Sequence, residues 1–166
     1  MSASSVRKKM GSSKSDDNIK SKEIPEISIS YNTNGKVHPG ALTSSRSTYD
    51  FLKTVYPSGG IELQERFIVL YLNRANKILG YYNHAIGGIT GVTTDVRLIY
   101  ATALASASSG IIISHNHPSG NLQPSQADID LTRKVKEAGR LLDITLLDHL
   151  ILTINGYYSF ADEGRI

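Results

Sequence analysis

A short apolar run, Gly110-Ile111-Ile112-Ile113, leads without a break into Ser114-His115-Asn116-His117-Pro118-Ser119-Gly120. β-branched residues in so short a run point to a buried strand. Pro118 and Gly120 then stop it. Two imidazoles therefore sit where a strand ends and a loop begins. Residues two apart in an extended backbone share a face, so His115 and His117 can converge on one point. Asp128 follows eleven positions after His117. It falls in the first turn of a helix that Ser125 is placed to cap. Two histidines and a carboxylate suit a catalytic zinc whose fourth position is left to water. The competing reading is a polar turn whose histidines hydrogen-bond locally.

The rest of the chain bounds what such a site can be. At 166 residues there is room for one domain with a core of its own. The absence of cysteine excludes disulfides, thiolate nucleophiles and sulfur-ligated zinc, and fits a cytoplasmic protein. No signal-like apolar stretch opens the chain, and no run is long enough for a membrane span. Residues 1–23 hold six Lys/Arg and three Asp/Glu, whereas the remainder holds twelve of each. The net charge of +3 thus belongs to the tail. That tail reads as disordered, with weak, non-specific contact to nucleic acid or acidic surfaces as its functional option.

Residues 24–43 read as an edge strand, through Ile27, Ile29 and Tyr31, and a linker. From residue 44 to 166 the pattern is one domain. Caps at Thr43 to Ser45 precede a helical stripe of Tyr49, Phe51, Leu52 and Val55 that ends at Pro57. Glu65 to Leu72 is apolar on both faces and so a central strand, with Lys77 to Tyr82 as its antiparallel partner. Thr94 is expected to cap a second helix. Ser125 to Leu142 forms a third. Ile144 to Ile154 is a strand interrupted by the charges of Asp148 and His149. Asn155-Gly156 turns into a last strand at Tyr157 to Phe160. His84 is expected to face solvent after its strand, and His38 to lie in a polar loop; neither receives a role. The glycines from Gly87 to Gly91 lack a nucleotide-binding spacing. The fold class is α/β, with a mixed central sheet flanked by helices.

The string His115-Asn116-His117-Pro118-Ser119-Gly120-Asn121-Leu122-Gln123-Pro124-Ser125-Gln126-Ala127-Asp128, with Leu147-Asp148-His149 downstream, resembles the RadC-like branch of the JAB/MPN (JAMM) metalloprotease superfamily. The resemblance runs from about Ser44 to Gly164. It implies a single JAB/MPN-like domain and one zinc ion per chain, ligated by His115, His117 and Asp128. Glu65, at the start of the central strand, matches the family's catalytic glutamate, with Glu62 as a confusable neighbour. Ser125 matches a serine that donates to the oxyanion of a tetrahedral intermediate, a role that competes with its capping role. The implied activity is hydrolysis of peptide or isopeptide bonds; the small and polar residues of Gly87 to Gly91 and Gly120 to Gln123 are expected to border a cleft that admits an extended peptide or flexible protein tail as substrate.

The alternative is a DNA-repair-associated accessory protein, since relatives of this kind often carry such a name. The helix-hairpin-helix module usual in them is not seen ahead of residue 44. Where close relatives show Pro-Arg-Glu, this chain keeps only Arg97. Manganese, iron or cobalt would also suit the ligand set. Asn116, pointing away from the histidines, is expected to fix the loop. For Asp148 and His149 two readings stand: a self-contained hydrogen bond in the core, or support of a ligand histidine from behind.

Overall fold

The structure, a computed structural model, describes residues 40–88 and 94–166. The basic tail, the strand expected near Ile27, His38 and the middle of the glycine-rich loop lie outside the described residues. Three helices, α1 (Ser45–Val55), α2 (Val96–Ala105) and α3 (Gln126–Leu141), accompany five strands. These are β1 (Arg66–Leu72), β2 (Ile78–Ile86), β3 (Gly110–Asn116), β4 (Thr145–Leu152) and β5 (Tyr157–Ser159). They form one sheet in the order β2-β1-β3-β4-β5. Only β3 and β4 run parallel. The expected mixed sheet is therefore present. Helix α3 is the crossover that a parallel pair requires. Among the described residues no helix is long and apolar enough to cross a membrane.

The alternation in β1 decides the layering. Ile68, Leu70 and Leu72 enter one core with Tyr49, Leu52 and Ile112, under α1. Phe67, Val69 and Tyr71 enter another with Ile99, Tyr100, Ile113 and Val135, under α2 and α3. Burial on both faces is what the unbroken apolar run anticipates. Because β1 and β3 are antiparallel with Phe67 opposite His115, the α3 side receives His115 and the α1 side receives Asn116.

Three expectations need correction. Asp95, not Thr94, caps α2: its carboxylate accepts from the Arg97 backbone N–H at 2.9 Å. A carboxylate at that position satisfies the free amide and meets the positive end of the helix. Strand β2 runs four residues past Tyr82, to Ile86, so His84 lies within it. Its Nε2 sits 2.5 Å from the Tyr71 hydroxyl, and burial holds its imidazole down to about 4. Finally, β4 is unbroken at Asp148 and His149 because each side chain finds partners within the fold.

Gly139 fixes how α3 meets α2 and the start of β4. A methyl group there would run into the Ile144 carbonyl and lie 2.6 Å from the Tyr100 hydroxyl, which donates to the Val135 carbonyl at 2.6 Å. Gly139→Ala should therefore destabilise by about 1–3 kcal/mol through overpacking, overriding the roughly 1 kcal/mol that alanine contributes inside a helix. Urea unfolding measures it. A rise in midpoint would show that propensity wins and that the contact relaxes.

Candidate metal centre

Three elements deliver the site. Strand β3 carries His115 to the edge of the α3-side core, where it is 2 % exposed. The chain then turns: the His117 N–H donates to the Leu152 carbonyl at 2.9 Å, and Gly120, at φ +78°, donates back to the His117 carbonyl at 3.0 Å. Only a residue free of Cβ strain takes that backbone conformation readily. Helix α3 brings Asp128. Ser125 caps it as the spacing indicates, in a reciprocal box: the Asp128 N–H donates to Ser125 Oγ at 3.2 Å, and the Ser125 N–H donates to Asp128 Oδ2 at 2.7 Å.

The outcome is a convergence of electron pairs. His115 Nε2 lies 3.0 Å from His117 Nε2 and 3.2 Å from Asp128 Oδ1, while His117 Nε2 is 3.9 Å from Asp128 Oδ2. His117 Nδ1 faces the Asn121 carbonyl at 2.6 Å. A carbonyl only accepts, so the proton of a neutral His117 stands on Nδ1 and the Nε2 lone pair faces inward. With no ion bound, burial pushes the Asp128 carboxyl up, but the hydrogen bond and charge of a protonated His115 and bonds from Ser125 outweigh it, and the group ends well below the usual carboxylate range. It is an anion at neutral pH. Two imidazole nitrogens and a carboxylate, with ligand atoms all within 4.8 Å of one another, form a group that could hold a metal ion. Among the described residues the expected three ligands thus do come together. A purely local polar turn does not explain why a carboxylate from α3 joins them.

Glu65 stands beside this centre. It is two residues before Phe67, the cross-strand partner of His115. The glycine-rich loop grips its backbone: its N–H donates to the Gly88 carbonyl at 3.0 Å, and Gly87 donates to its carbonyl at 2.8 Å. Burial raises its carboxyl, opposed by the charges of His115 and His117, so Glu65 and the ligands share one electrostatic neighbourhood. Glu62, by contrast, is exposed.

Asn116 does more than fix its own loop. Fully buried, it accepts from the Arg66 N–H at 2.8 Å and donates to the carbonyls of Ile61 and Gln64 at 2.8 and 2.9 Å. One amide thereby holds the segment on both sides of Glu65.

Asp148 and His149 part company. Asp148 accepts from Ser159 Oγ and from the N–H groups of Ala161 and His149, and ties down the C-terminal turn. Burial raises its carboxyl against those bonds. The His149 ring points the other way. Its Nε2 is 2.9 Å from His115 Nδ1, and its Nδ1 is 2.7 Å from Thr132 Oγ1. Burial foremost holds this imidazole well below its ordinary range, so it is neutral. Of the two arrangements left open by the sequence, a contact of the His149 ring with His115, not a self-contained Asp148–His149 side-chain pair, is the one seen. Thr132 was not foreseen, although its place four residues after Asp128 puts both on one helix face.

Comparison with known proteins now adds to the geometry. A family model for the RadC-like JAB domain matches residues 42–165. The chain belongs to the RadC-like JAB family. It is 45 % identical over 123 residues to a UPF0758 protein of Flavobacterium johnsoniae, covering 74 % of this chain and 52 % of that one. Against a UPF0758 protein of Porphyromonas gingivalis the identity is 44 % over 127 residues, covering 76 % and 55 %. With the UPF0758 protein YfjY of Escherichia coli it is 37 % over 126 residues, covering 76 % and 77 %. The chain thus spans about half the length of the first two relatives and most of the third. In this RadC-like JAB domain Arg97 is bound by Asp95 at 2.6 Å and its side chain is 90 % exposed.

Proposed function

We propose that this RadC-like JAB domain is a zinc-dependent hydrolase of peptide or isopeptide bonds. The observation that carries the proposal is the convergence of His115 Nε2, His117 Nε2 and Asp128 within reach of one ion, with the half-buried carboxyl of Glu65 alongside. His115, His117 and Asp128 would hold the ion. When bound, zinc supplies a Lewis acid for the scissile carbonyl and an acidified water. Histidine and carboxylate ligands would also accept manganese, iron or cobalt.

The protein's own groups move the protons. Glu65 takes a proton from the attacking water as its oxygen bonds to the carbonyl carbon. It gives that proton to the departing amine as the C–N bond breaks. Ser125 Oγ donates to Asp128 Oδ2 at 2.6 Å, beside the Ser125 N–H on the same oxygen. The backbone bond suffices to hold the carboxylate, so the hydroxyl can turn its proton to the developing oxyanion. Gly87 and Gly88, paired with the Glu65 backbone, lack side chains and so let an extended peptide or flexible tail approach closely.

A peptide library made from a proteome digest tests this. Zinc-loaded wild type should create new termini that zinc-loaded Glu65→Ala does not. Glu65-dependent hydrolysis confined to a non-peptide amide or a nucleic acid would leave the metal centre standing and overturn the peptidase.

A further inference from the structure

We propose that His149 and Thr132 are positioning residues of the metal centre: a hydrogen-bonded chain from His115 through them to Asp128 turns the His115 Nε2 lone pair toward the ion. The proposal rests on the metal reading above and extends it to two residues that touch neither ion nor substrate.

The chain can be followed atom by atom. Thr132 Oγ1 lies 2.6 Å from the Asp128 backbone carbonyl, one helical turn back. The carbonyl can only accept, so the single hydroxyl proton is directed there. The remaining lone pairs of Oγ1 face His149 Nδ1 at 2.7 Å, which must then carry its proton on that nitrogen. His149 Nε2 is left as an acceptor, 2.9 Å from His115 Nδ1. His115 donates from Nδ1, and its Nε2 turns a bare lone pair inward, where His117 Nε2 and Asp128 Oδ1 wait at 3.0 and 3.2 Å. Each donor has one acceptor. Running the chain backwards, with Thr132 donating to His149, would place a proton on His115 Nε2 and block ligation. The direction set by the Asp128 carbonyl is thus the one that binds metal.

Packing constrains the ring planes, and the partners at both nitrogens set which edge faces which way. His149 is fully buried, and its ring stacks on Phe160 with centroids 4.7 Å apart and planes 10° apart. His115 lies against Phe67 with planes 8° apart. The chain runs from one candidate ligand residue to another. His115 sits on β3, His149 on β4, and Thr132 and Asp128 on α3, so two of the three ligands are held in register by one relay. Carboxylate or carbonyl partners are the usual support of a ligating imidazole. Here a neutral imidazole does that work, and it needs Thr132 to select its tautomer.

The test uses the full chain with zinc. Long-range ¹⁵N–¹H NMR of labelled histidines in the zinc-loaded wild type should show His149 protonated on Nδ1 and bare on Nε2. Thr132→Val keeps the shape and deletes the hydroxyl. It should weaken zinc binding by roughly 10–100-fold in a chelator competition. Thr132→Ser should restore most of that affinity. A role limited to packing would move the zinc-free thermal midpoint of both variants and leave tautomer and affinity alone. His149 protonated on Nε2 in the loaded protein, or Thr132→Val binding zinc as wild type does, would overturn the relay while the metal centre stands. A wild type that takes up no zinc overturns both.

Discussion

His117→Ala and Asp128→Ala are expected to lose the metal and keep the fold. The wild type should carry about one zinc per chain by elemental analysis. Four-ligand zinc sites are worth roughly 10–16 kcal/mol, so one ligand is worth about 3–4 kcal/mol, on the order of a thousandfold in affinity. Neither side chain belongs to the hydrophobic cores. His117 is at a loop, and Asp128 adds only one half of a helix cap, worth about 1 kcal/mol. Both variants should therefore unfold cooperatively near the zinc-free wild type. Saturating zinc should raise the wild-type midpoint by something on the order of 10 °C, and should move neither variant. Ser125→Ala is the contrast: it loses a cap bond and retains zinc, because the Ser125 N–H still holds Asp128. Stoichiometric zinc in His117→Ala and Asp128→Ala would mean that the ion sits elsewhere.

The convergence of His115, His117 and Asp128 is legible in the sequence because each rests on a local rule. Spacing by two puts His115 and His117 on one face of the strand end, and a serine three residues before Asp128 marks the start of a helix. The both-sided apolar run of β1 was equally local and gave the central strand. What failed was what depends on neighbours. The register between β3 and β4 slips at one place: Ile111 pairs with Leu146 but Ile112 with Asp148. One extra residue in β4 exchanges its faces. Leu146 lies in the α3-side core, and strict alternation from it would turn Asp148 toward α3 and His149 away. The bulge reverses this and brings His149 beneath His115. No count along the chain reveals a bulge, so the sequence leaves Asp148 and His149 ambiguous and does not single out Thr132. His84 was misjudged for a related reason. The polar end of β2 reads as a loop, and only pairing with β1 keeps it extended as far as Ile86, opposite Arg66.

Glu65→Gln is expected to lower kcat by roughly 10²–10⁴-fold, the usual worth of a positioned general base, with zinc content and KM unchanged. The substitution keeps volume and hydrogen-bonding reach but cannot take up a proton. Affinity for zinc should hold because the three ligand atoms come from His115, His117 and Asp128. Glu62→Gln, three residues earlier at an exposed position, should change nothing. The pH profile separates a base from a binding contact. A base works as the carboxylate, so the rate falls as pH drops through its pKa. Burial pushes the Glu65 carboxyl, and with it that acid limb, up from the ordinary glutamate value near about 4.3, against the downward pull of a bound cation's charge. In Glu65→Gln the limb should vanish along with the activity, leaving a low, flat residue. Asn116→Ala should act on the same step from a distance. It removes the three bonds that hold Ile61, Gln64 and Arg66, so kcat falls while the acid limb stays, because the carboxyl is still there but no longer held in place. Full turnover by zinc-loaded Glu65→Gln would transfer the proton to some other group and leave Glu65 as the end of a strand.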